Sequence, residues 1–206
     1  MMIGIVDYGA GNLASVHNAF ERIGEHSEIF EDSKLIDKYD RIVLPGVGSF
    51  SRAMHLLTSK GWKEAILNHI NDKKPFLGIC LGMQILFESG DEKGPCEGLG
   101  VIKGKVKLLN PSSYLKIPHV GWNNLLPSKE HPVMEGIKEN IDFYFVHSYR
   151  CIPESKKVIL SECDYGGKFV SSVSKDNVIG MQFHPEKSQP VGLKILKNFS
   201  NWDGKC

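Results

Sequence analysis

The run Pro75-Phe-Leu-Gly-Ile-Cys-Leu-Gly-Met-Gln84 constrains the fold of this chain more than any other. Its first half is a short apolar stretch, which reads as a strand buried on both faces. The strand ends on Cys80, and a helix-compatible stretch from Leu81 to Phe87 follows with no loop between them. Gly78 and Gly82 flank the cysteine at minus two and plus two. A reversal this tight needs small neighbours, because side chains there would collide. It leaves Cys80 on a strained turn at the carboxyl end of a sheet, aimed into a crevice. That is the arrangement of a nucleophile elbow, with Cys in place of Ser. The new helix also turns its free N–H groups and positive end towards the sulfur, which favours the thiolate. Taken alone, a buried cysteine has an ordinary structural reading.

Partners for a nucleophile stand near the other end, in Gly180-Met-Gln-Phe-His-Pro-Glu186. A second buried strand, Val178 to Phe183, leads into it. His184 and Glu186 are two apart, so in an extended segment their side chains emerge on the same side. Pro185 fixes its own φ and biases His184 towards an extended conformation. A carboxylate beside an imidazole orients the ring and stabilises its charged form. The imidazole then takes the thiol proton and later gives a proton to a leaving amine. A lone His-Pro-Glu also reads as an ordinary turn. Cys80, His184 and Glu186, each at a strand end, together read as nucleophile, base and orienter.

The remaining pattern alternates strand and helix. Ile3 to Val6 is a first strand; Gly9-Ala-Gly-Asn12 turns into a helix from about Leu13 to Ile23, stopped by Gly24. Ile42 to Leu44 is a short strand followed by Pro45-Gly-Val-Gly48, and Trp62 to Asn71 has helical spacing. From Val101 to Gln182 short strands and turns take over, including an Ile141 to Tyr149 run and a Gly166-Gly167 turn. Gly192 to Phe199 closes as a helix. The expected fold is α/β: a mixed, mostly parallel central sheet flanked by helices, with a smaller antiparallel portion in the second half. One domain spans 1–206. Gly4, Gly9 and Gly11 lack the spacing of a dinucleotide fingerprint.

The 206 residues are 41% hydrophobic, enough for a full core, and the net charge of +1 gives no pull towards nucleic acid or an anionic membrane. No apolar stretch approaches membrane-spanning length, and Met-Met-Ile-Gly-Ile-Val reads as a strand rather than a signal peptide. The five cysteines show no paired spacing. Cys96, Cys151, Cys163 and Cys206 read as reduced, ordinary residues, which suits a cytoplasmic location. His119, His131 and His147 have no metal-ligand spacing, so no metal and no cofactor are expected.

Gly78-Ile-Cys-Leu-Gly-Met-Gln84 with His184-Pro-Glu186 resembles the class I (triad) glutamine amidotransferases, over essentially Met2 to Trp202. Three segments narrow the resemblance: Asp7-Tyr-Gly-Ala-Gly-Asn-Leu-Ala-Ser-Val16, Ile117-Pro-His-Val-Gly-Trp-Asn123 and His184-Pro-Glu-Lys-Ser-Gln189. Together they are similar to the glutaminase subunits of imidazole glycerol phosphate synthases. The resemblance implies hydrolysis of glutamine and delivery of ammonia to a (β/α)₈-barrel cyclase subunit, in a heterodimer of histidine biosynthesis. Hydrolysis passes through tetrahedral intermediates, so oxyanion donors are needed near the sulfur. These are the Leu81 N–H and the Val47 and Gly48 turn, which in this family rearranges before it donates. A plain strand-to-helix turn capped by Ser49 is the alternative. By resemblance Gln84 contacts substrate, and His147, Ser148 and Tyr149 hold the amino-acid part of glutamine. His147 is the rival base, but no acid neighbours it in sequence. Asn12, Trp122, Tyr144 and Lys187 are expected on the face that meets the synthase. For Asn12 helix capping, and for Trp122 ordinary core, are the alternatives.

Three other functions stay open. A paralogous glutaminase would serve a cyclase-like synthase in surface-sugar biosynthesis. A stand-alone cysteine hydrolase would need no partner, although Leu81 stands where such an enzyme normally has its histidine. A non-catalytic binding module would be expected to lack one of the three residues.

Overall fold

The computed structural model describes residues 1–112, 115–138 and 140–205; Cys206 lies outside them. The first half runs β1 (Ile3–Val6), α1 (Leu13–Arg22), β2 (Ser27–Phe30), β3 (Arg41–Gly46), α2 (Phe50–Ser59), α3 (Trp62–Asn71), β4 (Phe76–Cys80), α4 (Leu81–Gln84) and β5 (Phe87–Gly90). The second half is nearly all strand: β6 (Cys96–Glu97), β7 (Ile102–Leu108), β8 (His119–Asn124), β9 (Leu126–Pro127), β10 (Asp142–His147), β11 (Tyr149–Pro153), β12 (Ile159–Asp164), β13 (Lys168–Lys175) and β14 (Val178–Met181), closed by α5 (Gln189–Asn201).

Every residue of β1, β3, β4 and β14 is buried, the mark of parallel strands covered on both faces. They lie side by side in the order β2-β1-β3-β4-β14, all parallel. Beyond β14 the same sheet continues antiparallel through β13, β11 and β7. Strands β8 and β10 pair as a separate antiparallel ribbon. The mixed sheet with its antiparallel second half is the expected architecture.

Helices cover both faces because each carries one apolar stripe. On α2 the stripe is Phe50, Ala53, Met54 and Leu57, the i, i+3, i+4, i+7 pattern, and it packs with α3 on one face of the sheet. On the other face lie Val16, Ala19 and Phe20 of α1 with Ile195, Leu196 and Phe199 of α5. Burying each large side chain contributes about 1.5–3 kcal/mol.

Several boundaries differ from the sequence reading. Helix α1 ends at Arg22 with Gly24 at φ +73°, and α5 is longer than the Gly192 to Phe199 stretch. The Leu81 to Phe87 stretch is helical only to Gln84. Backbone bonds from Leu99 N to Ile85 O and from Ile102 N to Leu86 O draw the chain back to the sheet, where Phe87 begins β5 beside β7. The Ile141 to Tyr149 run splits at Ser148 into β10 and β11, which belong to different sheets. Strand β2 had no place in the sequence reading, and helix α2 only as the alternative in which a helix follows Ser49. Ser49 makes no side-chain cap on α2; the Phe50 N–H donates instead to Glu92 Oε2 at 2.8 Å.

Candidate active site

Three parallel strands bring their carboxyl ends together. Cys80 ends β4, with Gly46 beside it on β3 and the Ile79–Met181 pair on its β14 side. The Val47 and Gly48 turn follows β3, and Gln182 to Glu186 follows β14. Cys80 has φ +56° and ψ −108°, a strained conformation for a residue with a side chain. The flanking glycines are required by contact. A Cβ on Gly82 would collide with the Leu44 carbonyl oxygen, and one on Gly78 with the Gly82 carbonyl. Helix α4 is a single turn, so it lacks the summed dipole with which a longer helix would favour the thiolate.

His184 is extended, at φ −101° and ψ 95°, as expected of the residue before Pro185, but the extended segment does not continue to Glu186. Pro185–Lys187 forms one 3₁₀ turn, with Pro185 at its first position, where its missing N–H costs nothing. The turn still joins the pair: His184 Nδ1 is 2.8 Å from Glu186 Oε1, both side chains buried. Burial alone would lower the imidazole pKa, but Cys80 and Glu186 outweigh it and raise His184 to about 10. Cys80 acts on His184 through hydrogen bonding as well as charge, although among the described residues His184 Nε2 meets no partner at strict bonding geometry. The main chain is fixed as well. His184 N donates to Tyr144 O at 2.9 Å, and Ser188 Oγ donates to His184 O at 2.6 Å while accepting from Tyr144 N at 3.0 Å.

A cavity of about 270 Å³ opens over the sulfur. Cys80, His184, Leu81, Val47, Gly48, Gln84, His147, Ser148 and Tyr149 all line it, so the sequence-predicted nucleophile, base, oxyanion and substrate residues share one wall. Glu186 stands behind His184. His147 is a poor base here. Burial, first of all, holds its pKa down at about 3. Its Nδ1 bonds Tyr149 O at 2.8 Å and its Nε2 bonds His119 Nδ1 at 3.1 Å.

Trp122 is 46% exposed, which removes the core reading. It stands opposite Tyr144 across β8 and β10, ring centroids 5.7 Å apart, and Lys187 Nζ lies 5.7 Å from the Tyr144 ring. Asn12 holds the cap position of α1 but makes no side-chain cap bond.

Three residues escaped the sequence reading. Glu92 brings a carboxylate to the cavity lining from the loop after β5, a placement only the fold creates. Ser188 ties His184 to β10. Gln182 donates its side-chain N–H to the Cys80 sulfur at 3.7 Å and accepts from Gln84 Nε2 at 3.0 Å. Its signal was its place two residues before His184. Cys96, Cys151 and Cys163 are free thiols.

The sequence model described as Glutamine amidotransferase class-I matches residues 4–201. The chain is 50% identical over 204 residues to the imidazole glycerol phosphate synthase subunit HisH of Sulfurimonas denitrificans, covering 98% of each. It is 50% identical over 196 residues to the protein of the same name from Aquifex aeolicus, covering 95% of this chain and 94% of that one. Among solved structures, PurLQS from Thermotoga maritima superposes with TM-score 0.74 at 21% identity, covering 97% of both chains. A structure titled glutamine amidotransferase does so with TM-score 0.74 at 16% identity, covering 96% and 98%. These two likenesses speak for the fold alone. On the family match and the near full-length identities, the chain belongs to the class I glutamine amidotransferases and, within them, to the family of imidazole glycerol phosphate synthase subunits HisH.

Proposed function

We propose that the chain is the glutaminase subunit of an imidazole glycerol phosphate synthase, supplying ammonia to a (β/α)₈-barrel cyclase subunit in histidine biosynthesis. The observation that carries this reading is the buried Glu186–His184 pair beside Cys80 at the wall of one cavity.

The chemistry follows from the positions. The Cys80 thiolate attacks the amide carbon of glutamine, and the carbonyl electrons move to oxygen. The Leu81 N–H, first residue of α4, and the Val47–Gly48 turn stabilise that oxyanion. His184, kept protonated by its raised pKa, gives a proton to the departing nitrogen, and ammonia leaves with a thioester on Cys80. His184 then takes a proton from water, whose oxygen attacks the thioester, and glutamate departs as the thiolate re-forms. Glu92 suits the α-ammonium group of glutamine as the carboxylate of the cavity lining. Gln84 commits its N–H groups to Tyr149 O at 3.3 Å and Gln182 Oε1 at 3.0 Å, which leaves its Oε1 as an acceptor. Ammonia released into water would be protonated and non-nucleophilic, so the Trp122, Tyr144 and Lys187 face suits a partner that receives it directly.

The test is glutamate release, measured on the chain with a purified barrel cyclase, alongside formation of the cyclase product. Glutamate without coupled product would point to a different client synthase. No glutamate with any partner would remove the glutaminase reading.

A further inference from the structure

We infer that Gln182 is a positioning residue for the nucleophile: its side-chain N–H holds the Cys80 sulfur and favours the thiolate, independently of His184. The inference rests on the glutaminase reading above, in which that thiolate is the attacking group.

The direction of the Gln182 amide is fixed by a chain of bonds that starts at a backbone carbonyl. Tyr149 O can only accept. It takes the Nδ1–H of His147 at 2.8 Å and an Nε2–H of Gln84 at 3.3 Å. The amide nitrogen of Gln84 therefore faces Tyr149, and its second proton goes to Gln182 Oε1 at 3.0 Å. With its oxygen thus engaged, Gln182 must present Nε2 to the sulfur, 3.7 Å away. Gln182 is fully buried, so both ends of its amide need partners, and this arrangement supplies them. Its backbone is held too, by the bond from Gln182 N to Ser171 O at 2.8 Å.

Among the described residues, two groups that do not titrate hydrogen-bond to the sulfur, and their preferences are opposite. Val146 O lies 3.8 Å away and accepts from the protonated thiol. Once the proton is gone, that carbonyl has nothing to accept and its dipole opposes the charge. The Gln182 N–H does the reverse, since a donor bonds an anion more strongly than a neutral group. His184 acts on the sulfur as well, by hydrogen bonding and charge, but it is itself a titrating group. The ionisable groups acting around the sulfur are His184 with Glu186 behind it, Tyr8 and Cys151. Gln182 is neutral at every pH, so its donor faces the sulfur unchanged throughout the working range, whatever the charge of His184.

The experiment is alkylation of Cys80 by iodoacetamide in the full chain, across pH, followed on the Cys80 peptide by mass spectrometry. This reagent uses none of the glutamine-binding groups. Gln182→Met keeps the length and removes the donor; Cys80 alkylation at neutral pH should fall about tenfold and its pH profile should move to the alkaline side. Gln182→Glu places a carboxylate against the sulfur and should slow it further, an order that a general packing defect does not produce. Native rate and native profile in both variants would overturn the inference, even if glutamine turnover fell. Should neither variant fold, the unaltered chain decides. The Gln182 side-chain amide proton resonances should shift as Cys80 titrates, and resonances that stay fixed would overturn it. Failure of the glutaminase reading shows separately, as no glutamate from the unaltered chain with a cyclase.

Discussion

At Cys80 the chain combines backbone strain, close-packed glycines and a raised imidazole neighbour in one place. Cys80→Ala should remove glutamine hydrolysis while the complex still makes cyclase product from ammonium salt at alkaline pH. Loss of the ammonia-driven reaction as well would give Cys80 a role beyond glutamine. Glu186→Gln keeps the size of the orienting group and removes its charge, so turnover should fall about 10²–10⁴-fold. Cys80 and Glu186, acting together on His184, set a pH dependence of stability. An imidazole near 10 in the folded chain, against about 6.5 unfolded, binds its proton more tightly when folded. Its stabilisation is therefore full below about pH 6.5 and is lost as pH rises towards 10. Unfolding free energies of the native chain and Glu186→Gln should differ most at and below neutral pH and converge in the alkaline range. A gap that widened with pH would reverse the assignment.

Elements explain which parts of this were readable. The four fully buried strands announce themselves as apolar runs; β4 ends on Cys80 and β14 leads beyond Met181 to His184 and Glu186, so the sheet and this candidate set could be read from the chain. The apolar Ile85-Leu86-Phe87 run fits helix or strand equally, and pairing with β7 decided it. Glu92 reaches the cavity only through the path of β5 and its loop, and the two roles of Gln182 depend on partners 98 and 102 residues away in sequence. Local patterns hold no record of such contacts. Close approach of β3, β4 and α4 predicts that Gly82→Ala, forced against the Leu44 carbonyl, destabilises the chain by about 1–3 kcal/mol in denaturant unfolding. An unchanged midpoint would show that the elbow relaxes without strain. On the β8–β10 ribbon, Trp122→Ala should weaken cyclase docking about 10–30-fold by titration, as an exposed aromatic anchor would. Undiminished affinity would move the docking face elsewhere.

Across the whole molecule, the cavity wall meets the proposed docking face through a few residues. Tyr144 accepts the His184 N–H on its carbonyl and carries Trp122 and Lys187 against its ring. Val47, 46% exposed, and Gly48 at φ +96° form a glycine-rich turn on the same cavity. Such a turn can hold two backbone states within a few kcal/mol. A subunit that hydrolysed glutamine by itself would release ammonia uselessly, so docking of the synthase with its acceptor bound is expected to favour the donating state. Restoring one oxyanion donor is worth about 10²–10³ in rate. The most direct measurement is glutamate release by the chain alone, with the barrel cyclase, and with the cyclase plus its acceptor ligand. Partner-gated activation predicts near-silence alone and a rise of about 10²–10³-fold in the complete complex, with product formed in step with glutamate. Equal turnover in all three conditions would contradict it and leave a stand-alone hydrolase.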